Sequence, residues 1–202
     1  MFDTKKSHIS TVVTSENLSF FLRKKIFFHF VGPVEQVAVI FAEETPTFFE
    51  LERHGVILLT DWSGSKITNL PKFLFWIDQT HFHFLASQEG TPGLNHPDSR
   101  PGHYQSELWK YDVAEFFLLS SDKNRYLEFN LAPNGGWWSS AFCAPLIPAP
   151  GEPLPIPNVQ TSAEVNRDRW RARASIPLSW LQKNYGFSKS TCLNACFILN
   201  SP

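Results

Sequence analysis

The chain has 202 residues, enough for one domain, or one domain with an extension, to bury a core without disulfide or metal staples. Its 18 Lys and Arg against 19 Asp and Glu leave a formal charge of −1, which by itself carries no message about nucleic acid, and the only dense basic patch of the kind a nucleic-acid binder shows is Arg23-Lys24-Lys25. An aromatic fraction of 15% together with 15 prolines disfavours long helices and favours strands.

Residues 1–17 read as weakly structured. Residues 20–30 and 34–41 have strand-like composition on either side of the Gly32-Pro33 turn. The basic triplet Arg23-Lys24-Lys25 reads as a solvated turn. The first twenty residues hold no apolar run of signal-peptide length, and charges interrupt the apolar stretch 18–39. No membrane span is expected, and a cytoplasmic location is. Residues 48–52 read as a further strand, and 56–59 as a short apolar run closed by Asp61.

Residues 73–77 and 81–86 are expected to form a hairpin across Asp78-Gln79-Thr80. Phe82 and Phe84 would share one face and His81 and His83 the other. Residues 88–106 carry repeated Gly and Pro and read as a long loop. Two strands follow, 113–119 and 126–131, then a loop tipped by Trp137 and Trp138. The six prolines of 145–157 make an extended surface segment. In residues 170–176, Trp, Ala, Ala and Ile alternate with Arg171, Arg173 and Ser175, which predicts a half-buried strand. A short helical turn near 179–185 and a last strand, 193–199, complete the chain. Cys192 and Cys196 would then lie about 13 Å apart at ~3.3 Å per residue, beyond disulfide reach. With Cys143 they read as three reduced thiols.

The segment 108–138 concentrates polar groups among aromatics. Both faces of 113–119 are apolar apart from Glu115, which predicts a central strand and a carboxylate that needs partners. Glu115 has two readings: a structural hydrogen bond to a loop, or a ligand acceptor. On the next strand Leu127, Phe129 and Leu131 point one way, and Tyr126, Glu128 and Asn130 the other. That second face is either a solvated exterior or a ligand surface. His81 and His83 form either a solvated pair or, with His103 or Asp98, a metal site. Asp98, Asp112 and Glu107 offer a calcium set. Glu115 and Glu128 are also a conceivable glycosidase pair. There is no G-x-S-x-G and no phosphate-binding glycine motif.

Three separated patterns carry a resemblance. They are Trp109-x-x-Asp112-x-x-Glu115-x-Phe117, then Tyr126-x-Glu128-x-Asn130-x-x-Pro133, then Trp170-x-Ala172 with Ile176-Pro177. Over residues 56–202 the chain resembles the family-9 carbohydrate-binding modules and their DOMON-like relatives. The resemblance implies an antiparallel β-sandwich, with sugar held between two tryptophans in some members and haem in others. It assigns the first sandwiching tryptophan to Trp109 and the ligand glutamate to Glu115. A basic or amide contact of the family falls near Glu128, where the chemistry differs. The second tryptophan comes late in the family, and Trp137 or Trp138 would take its place here. The only methionine is Met1, which disfavours a Met–His haem site and leaves a bis-histidine site from His81, His83, His96 or His103.

The expected fold class is all-β: an antiparallel β-sandwich of jelly-roll or Ig-like type, with little helix. An N-terminal extension, 1–50, would precede the module, 51–202, the latter complete or short of its last strand or loop. The expected function is a non-catalytic carbohydrate-binding-like domain taking a sugar or small polar ligand by aromatic stacking. Trp109, Glu115, Glu128, Asn130, Trp137 and Trp138 would line the site, with no catalytic residue, no assigned metal ligand, and no cofactor beyond the calcium option. Alternatives are a haem- or metal-binding domain, a weak glycosidase, and an interaction domain that has lost its ligand site. Neither nucleic acid nor membrane is an expected partner.

Overall fold

The computed structural model describes residues 38–61, 63–122, 124–152, 155–188 and 191–199, together with three short N-terminal strands. In chain order the strands are β1 (Ser7–His8), β2 (Thr11–Val13), β3 (Lys25–Phe27), β4 (Ala38–Phe41), β5 (Val56–Ile57), β6 (Pro71–Ile77) and β7 (His81–Glu89). They continue as β8 (Val113–Leu119), β9 (Tyr126–Leu131), β10 (Trp137–Ala144), β11 (Ile147–Pro148), β12 (Gln160–Val165), β13 (Arg169–Pro177) and β14 (Leu193–Leu199). Two helices, α1 (Phe48–His54) and α2 (Leu178–Tyr185), and one 3-10 turn, Leu108–Lys110, are the helical elements of the described residues.

The strands form two sheets of seven. The first runs β1-β14-β8-β9-β10-β11, with β2 also on β14; the second runs β12-β13-β7-β6-β4-β3, with β5 on β6. Pairing is antiparallel except between β4 and β6. The sheets face each other through phenylalanines. The Phe116 ring meets Phe75, Phe82 and Phe84 of the opposite sheet at centroid separations of 6.1, 5.4 and 5.2 Å. Inside its own sheet it stacks on Phe129 at 5.1 Å. The expected antiparallel β-sandwich with little helix is the fold. The alternation predicted for 170–176 holds: Trp170, Ala172, Ala174 and Ile176 are all fully buried.

Several local expectations change. Residues 48–52 are helical, not a strand. Thr47 caps α1, its hydroxyl accepting from the Phe49 backbone while Glu50 closes a capping box, and only Leu51 of the helix is buried. Trp137 and Trp138 open a strand instead of tipping a loop. Within the turn before it, Gly135 sits at φ +84°, a conformation that a side chain would strain. β12 fell in a stretch with no strand signal. The second sheet also draws on residues upstream of 51: β4 pairs with both β6 and β3, and Val39 is in the core. The parts of 1–17, 20–30 and 34–37 outside β1 to β3, including Arg23, Lys24 and the Gly32-Pro33 turn, lie outside the described residues.

Candidate functional site

β8 is central in the first sheet, between β14 and β9, and its alternation decides where each group goes. Ala114, Phe116 and Leu118 enter the core, so Glu115 and Phe117 face outward. Register then builds rows on the outer face. One row is Trp138, Asn130, Glu115 and Cys196; the next is Ser140, Glu128, Phe117 and Asn194. A polar band therefore crosses four strands.

Aromatics flank the band. Trp109 reaches it from the 3-10 turn, whose Leu108 is buried in an apolar cluster with Val113, Ala132, Trp138, Phe142 and Ile198. The Trp109 and Trp138 rings meet edge to face at 4.8 Å and 65°. Tyr126 stacks on Phe142 at 5.2 Å. The long loop that delivers the 3-10 turn is tied down by Asp112, whose carboxylate accepts from the Gly93 backbone at 2.6 Å. It is also tied by Ser99, which donates to Asn134 at 2.7 Å.

Five of the six sequence-predicted groups thus share one face: Trp109, Glu115, Glu128, Asn130 and Trp138. Trp137 does not join them. The strand alternation turns it inward, where it stacks on Phe129 at 5.6 Å and meets Tyr104 edge to face. It is 4% exposed in the core between the sheets and cannot wall an outer site. Ser140 and Cys196 were not expected on this face. Their signal was strand register, which local sequence does not carry.

The hydrogen bonding of the band is uneven. Cys196 donates its thiol proton to Glu115 Oε2 at 3.1 Å. Asn130 Nδ2 donates to Glu128 Oε1 at 3.3 Å. Asn130 Oδ1 is buried and accepts no hydrogen bond. Burial pushes the Glu128 carboxyl up to about 6, against the lowering effect of the Asn130 bond. Burial, then the Glu115 and Glu128 carboxylates, raise the Cys196 thiol well above its ordinary range. Cys196 is thus a neutral donor and a poor nucleophile. All three cysteines are free thiols.

The second sheet holds a different polar constellation. His83, 1% exposed, contacts Ser175 Oγ through Nδ1 and Asp78 Oδ2 through Nε2, each at 2.8 Å. Asp78 also accepts from the Thr80 and His81 backbones and from Thr45. Burial lowers the His83 imidazole pKa and keeps it neutral. Burial alone would raise the Asp78 carboxyl, but its hydrogen bonds from Thr80, His83 and His81 hold it well below the usual carboxylate range. Ser, His and Asp stand in line here, yet Ser175 is itself buried and the array lies beneath residues 44–46. The Trp76 indole N–H donates to the Glu44 carbonyl and Arg173 to the Pro46 carbonyl. This is a polar clamp within the fold. His83 is accordingly no surface histidine.

A surface cleft of about 420 Å³ lies on the second sheet, lined by Glu52, Lys72, Gln88, Glu89, Asp168 and Arg169 among others. Glu52 bridges Lys72 and Arg169 at 2.8 Å each. The cleft is remote from the aromatic face and its charges are largely paired with each other, so the first-sheet face is the better candidate. Among the described residues no three His, Cys, Asp or Glu side chains group to hold a metal ion, so neither Asp98, Asp112 and Glu107 nor His81, His83 and His103 are gathered. No helix of the described residues is long and apolar enough to cross a membrane.

No known family model matches the chain. It is similar to the UPF0462 protein C4orf33 homologs of Rattus norvegicus and Mus musculus, at 39% identity over 54 residues in each case. That match takes in 25% of this chain and 27% and 28% of those proteins, so the chain spans little more than a quarter of the curated relatives it matches. In structure it is similar to a family 9 carbohydrate-binding module from Caldicellulosiruptor kristjanssonii in complex with glucose. The TM-score is 0.44 at 17% identity, over 70% of this chain and 69% of that one. For the module from the same organism in complex with cellotriose, the TM-score is 0.38 at 20% identity, over 57% and 52% of the two chains.

Proposed function

We propose that the outer face of the first sheet is a non-catalytic binding site for a sugar or a similar small polar ligand. One observation carries the reading: two tryptophans in edge-to-face contact stand beside a row of buried acceptors, one of which, Asn130 Oδ1, has no partner. A sugar ring presents C–H faces to an aromatic and hydroxyl donors at its rim, which matches this pairing of groups. Trp109 is half-buried and would stack on the ligand, with Trp138 packed edge to face against it. Glu128, also half-buried, accepts at the rim, and Asn130 and Glu115 set the polarity beneath. A buried acceptor without a donor costs about 1–3 kcal/mol, which a bound hydroxyl or amine proton offsets.

Calorimetric titration with monosaccharides and cello-oligosaccharides, neutral and charged, tests the reading. Measurable heat with at least one of them is expected, and none with any sinks it. Trp109→Ala is expected to weaken whichever sugar binds by about tenfold or more. In the absence of a catalytic step, neither the parent nor Glu115→Gln should release aryl alcohol from aryl glycosides; turnover lost in the variant would make this an enzyme instead.

A further inference from the structure

We propose that the cleft on the second sheet is a separate binding site, one that takes a free α-amino acid with an apolar side chain. It lies apart from the aromatic face and does not depend on the sugar reading. Strand register assembles it. The β7–β13 pairing sets Glu89 opposite Arg169 and Gln88 opposite Trp170, and the β6–β7 pairing sets Lys72 opposite Ser87. Helix α1 brings Glu52 onto two cations, at 2.8 Å from Lys72 Nζ and 2.8 Å from Arg169 Nη1. The turn between β12 and β13 is fixed at the rim. Asn166 Oδ1 accepts from the Asp168 and Arg169 backbones at 2.9 Å each, and the Gly90 backbone donates to the Asp168 carbonyl at 2.6 Å. The hollow so formed, about 420 Å³, is of the size that small ligands occupy.

Charge is unevenly matched within it. Glu52 supplies one negative charge to two cations, so that end keeps a positive surplus. Glu89 and Asp168 line the same cleft, and among the described residues neither carboxylate forms an ion pair or accepts a side-chain hydrogen bond. That end keeps a negative surplus. Between them Gln88, 2% exposed, lines the wall. Its Oε1 accepts from the Trp170 indole N–H at 3.0 Å, which fixes the amide. Its Nε2 donates to no atom among the described residues and is left as an oriented donor on the cleft. Ile57 and Leu70 add apolar lining. An amino-acid zwitterion answers all of these groups together. Its carboxylate would take Gln88 Nε2, Lys72 and Arg169, its ammonium would face Glu89 and Asp168, and its side chain would lie on Ile57 and Leu70. A simple amine would leave the oriented amide unused, and a simple acid would meet the repulsion of Glu89 and Asp168.

Calorimetric titration of the whole chain with L-leucine, isopentylamine and isocaproate at about pH 7 tests this, since the last two are leucine without its carboxylate and leucine without its ammonium. Leucine is expected to bind about tenfold tighter than either fragment. Isopentylamine equal to leucine makes the cleft a site for cations alone and overturns the proposal. Isocaproate equal to leucine makes it a site for anions alone and does the same, as does no heat with leucine. Each of these outcomes leaves the sugar reading of the other face standing. Glu89 and Asp168 are both exposed, so joint Glu89→Gln and Asp168→Asn substitution should leave the fold intact. It is expected to bring leucine down to the affinity of isocaproate. Leucine binding undiminished in that folded variant overturns the assignment to this cleft, and the parent series decides the matter if the variant does not fold.

Discussion

Individual buried groups give this molecule its pH behaviour. The Glu128 carboxyl, raised to about 6 by burial, binds its proton more tightly folded than unfolded. Its contribution is therefore fully present below its unfolded value of 4.5 and is lost as pH rises through 6. The loss amounts to about 1–2 kcal/mol. Glu128→Gln should remove that slope, so urea melts of the variant should show less decline than the parent between about pH 4.5 and 7. His83 acts in the opposite sense. Its folded pKa is depressed by burial, so its contribution is present above its unfolded value of 6.5 and is lost as pH falls through the folded value. The two slopes oppose each other in mildly acid solution.

At the scale of elements, the stabilising contacts are local and separable. The capping box at Thr47 satisfies backbone donors at the start of α1, a helix that buries one leucine. Thr47→Ala should cost about 1 kcal/mol in a denaturant melt. The pairing of β6, β7 and β13 sets Trp76, His83 and Ser175 in one row, and Asp78 in the β6–β7 turn reaches the same imidazole. Ser175→Ala leaves one nitrogen of a buried imidazole without its partner and should cost about 1–3 kcal/mol. The strand β10 was hidden in the sequence for a reason of the same kind. Its Trp-Trp-Ser-Ser-Ala-Phe shows no polar alternation because both faces are covered, and Ser139 and Ser140 are both buried. Similarly, the Thr47-x-x-Glu50 signature was present, but the aromatic Phe48-Phe49 pair has strand-like composition and masked it.

For the whole molecule, the interface between sheets is a phenylalanine layer centred on Phe116, with rings from both sheets around it. Phe116→Ala should destabilise the fold by about 3–5 kcal/mol, read as a lower denaturant midpoint. Ligand affinity should be disturbed only through the fold, since Phe116 faces away from Glu115. The sequence by itself determined the sandwich class, the hairpin at Asp78, the buried face of β13 and the division of β9 into core and outward sets. Each of these is written in a period of two along a single strand. Only the tertiary structure decided that Trp137 belongs to the core and Trp138 to the outer face, that Cys196 meets Glu115, and that His83 is clamped by Asp78 and Ser175. It also decided that β4 joins the second sheet by a parallel pairing. Those outcomes depend on register between strands far apart in the chain. Register is fixed by the packing of whole sheets, which no local run of residues encodes.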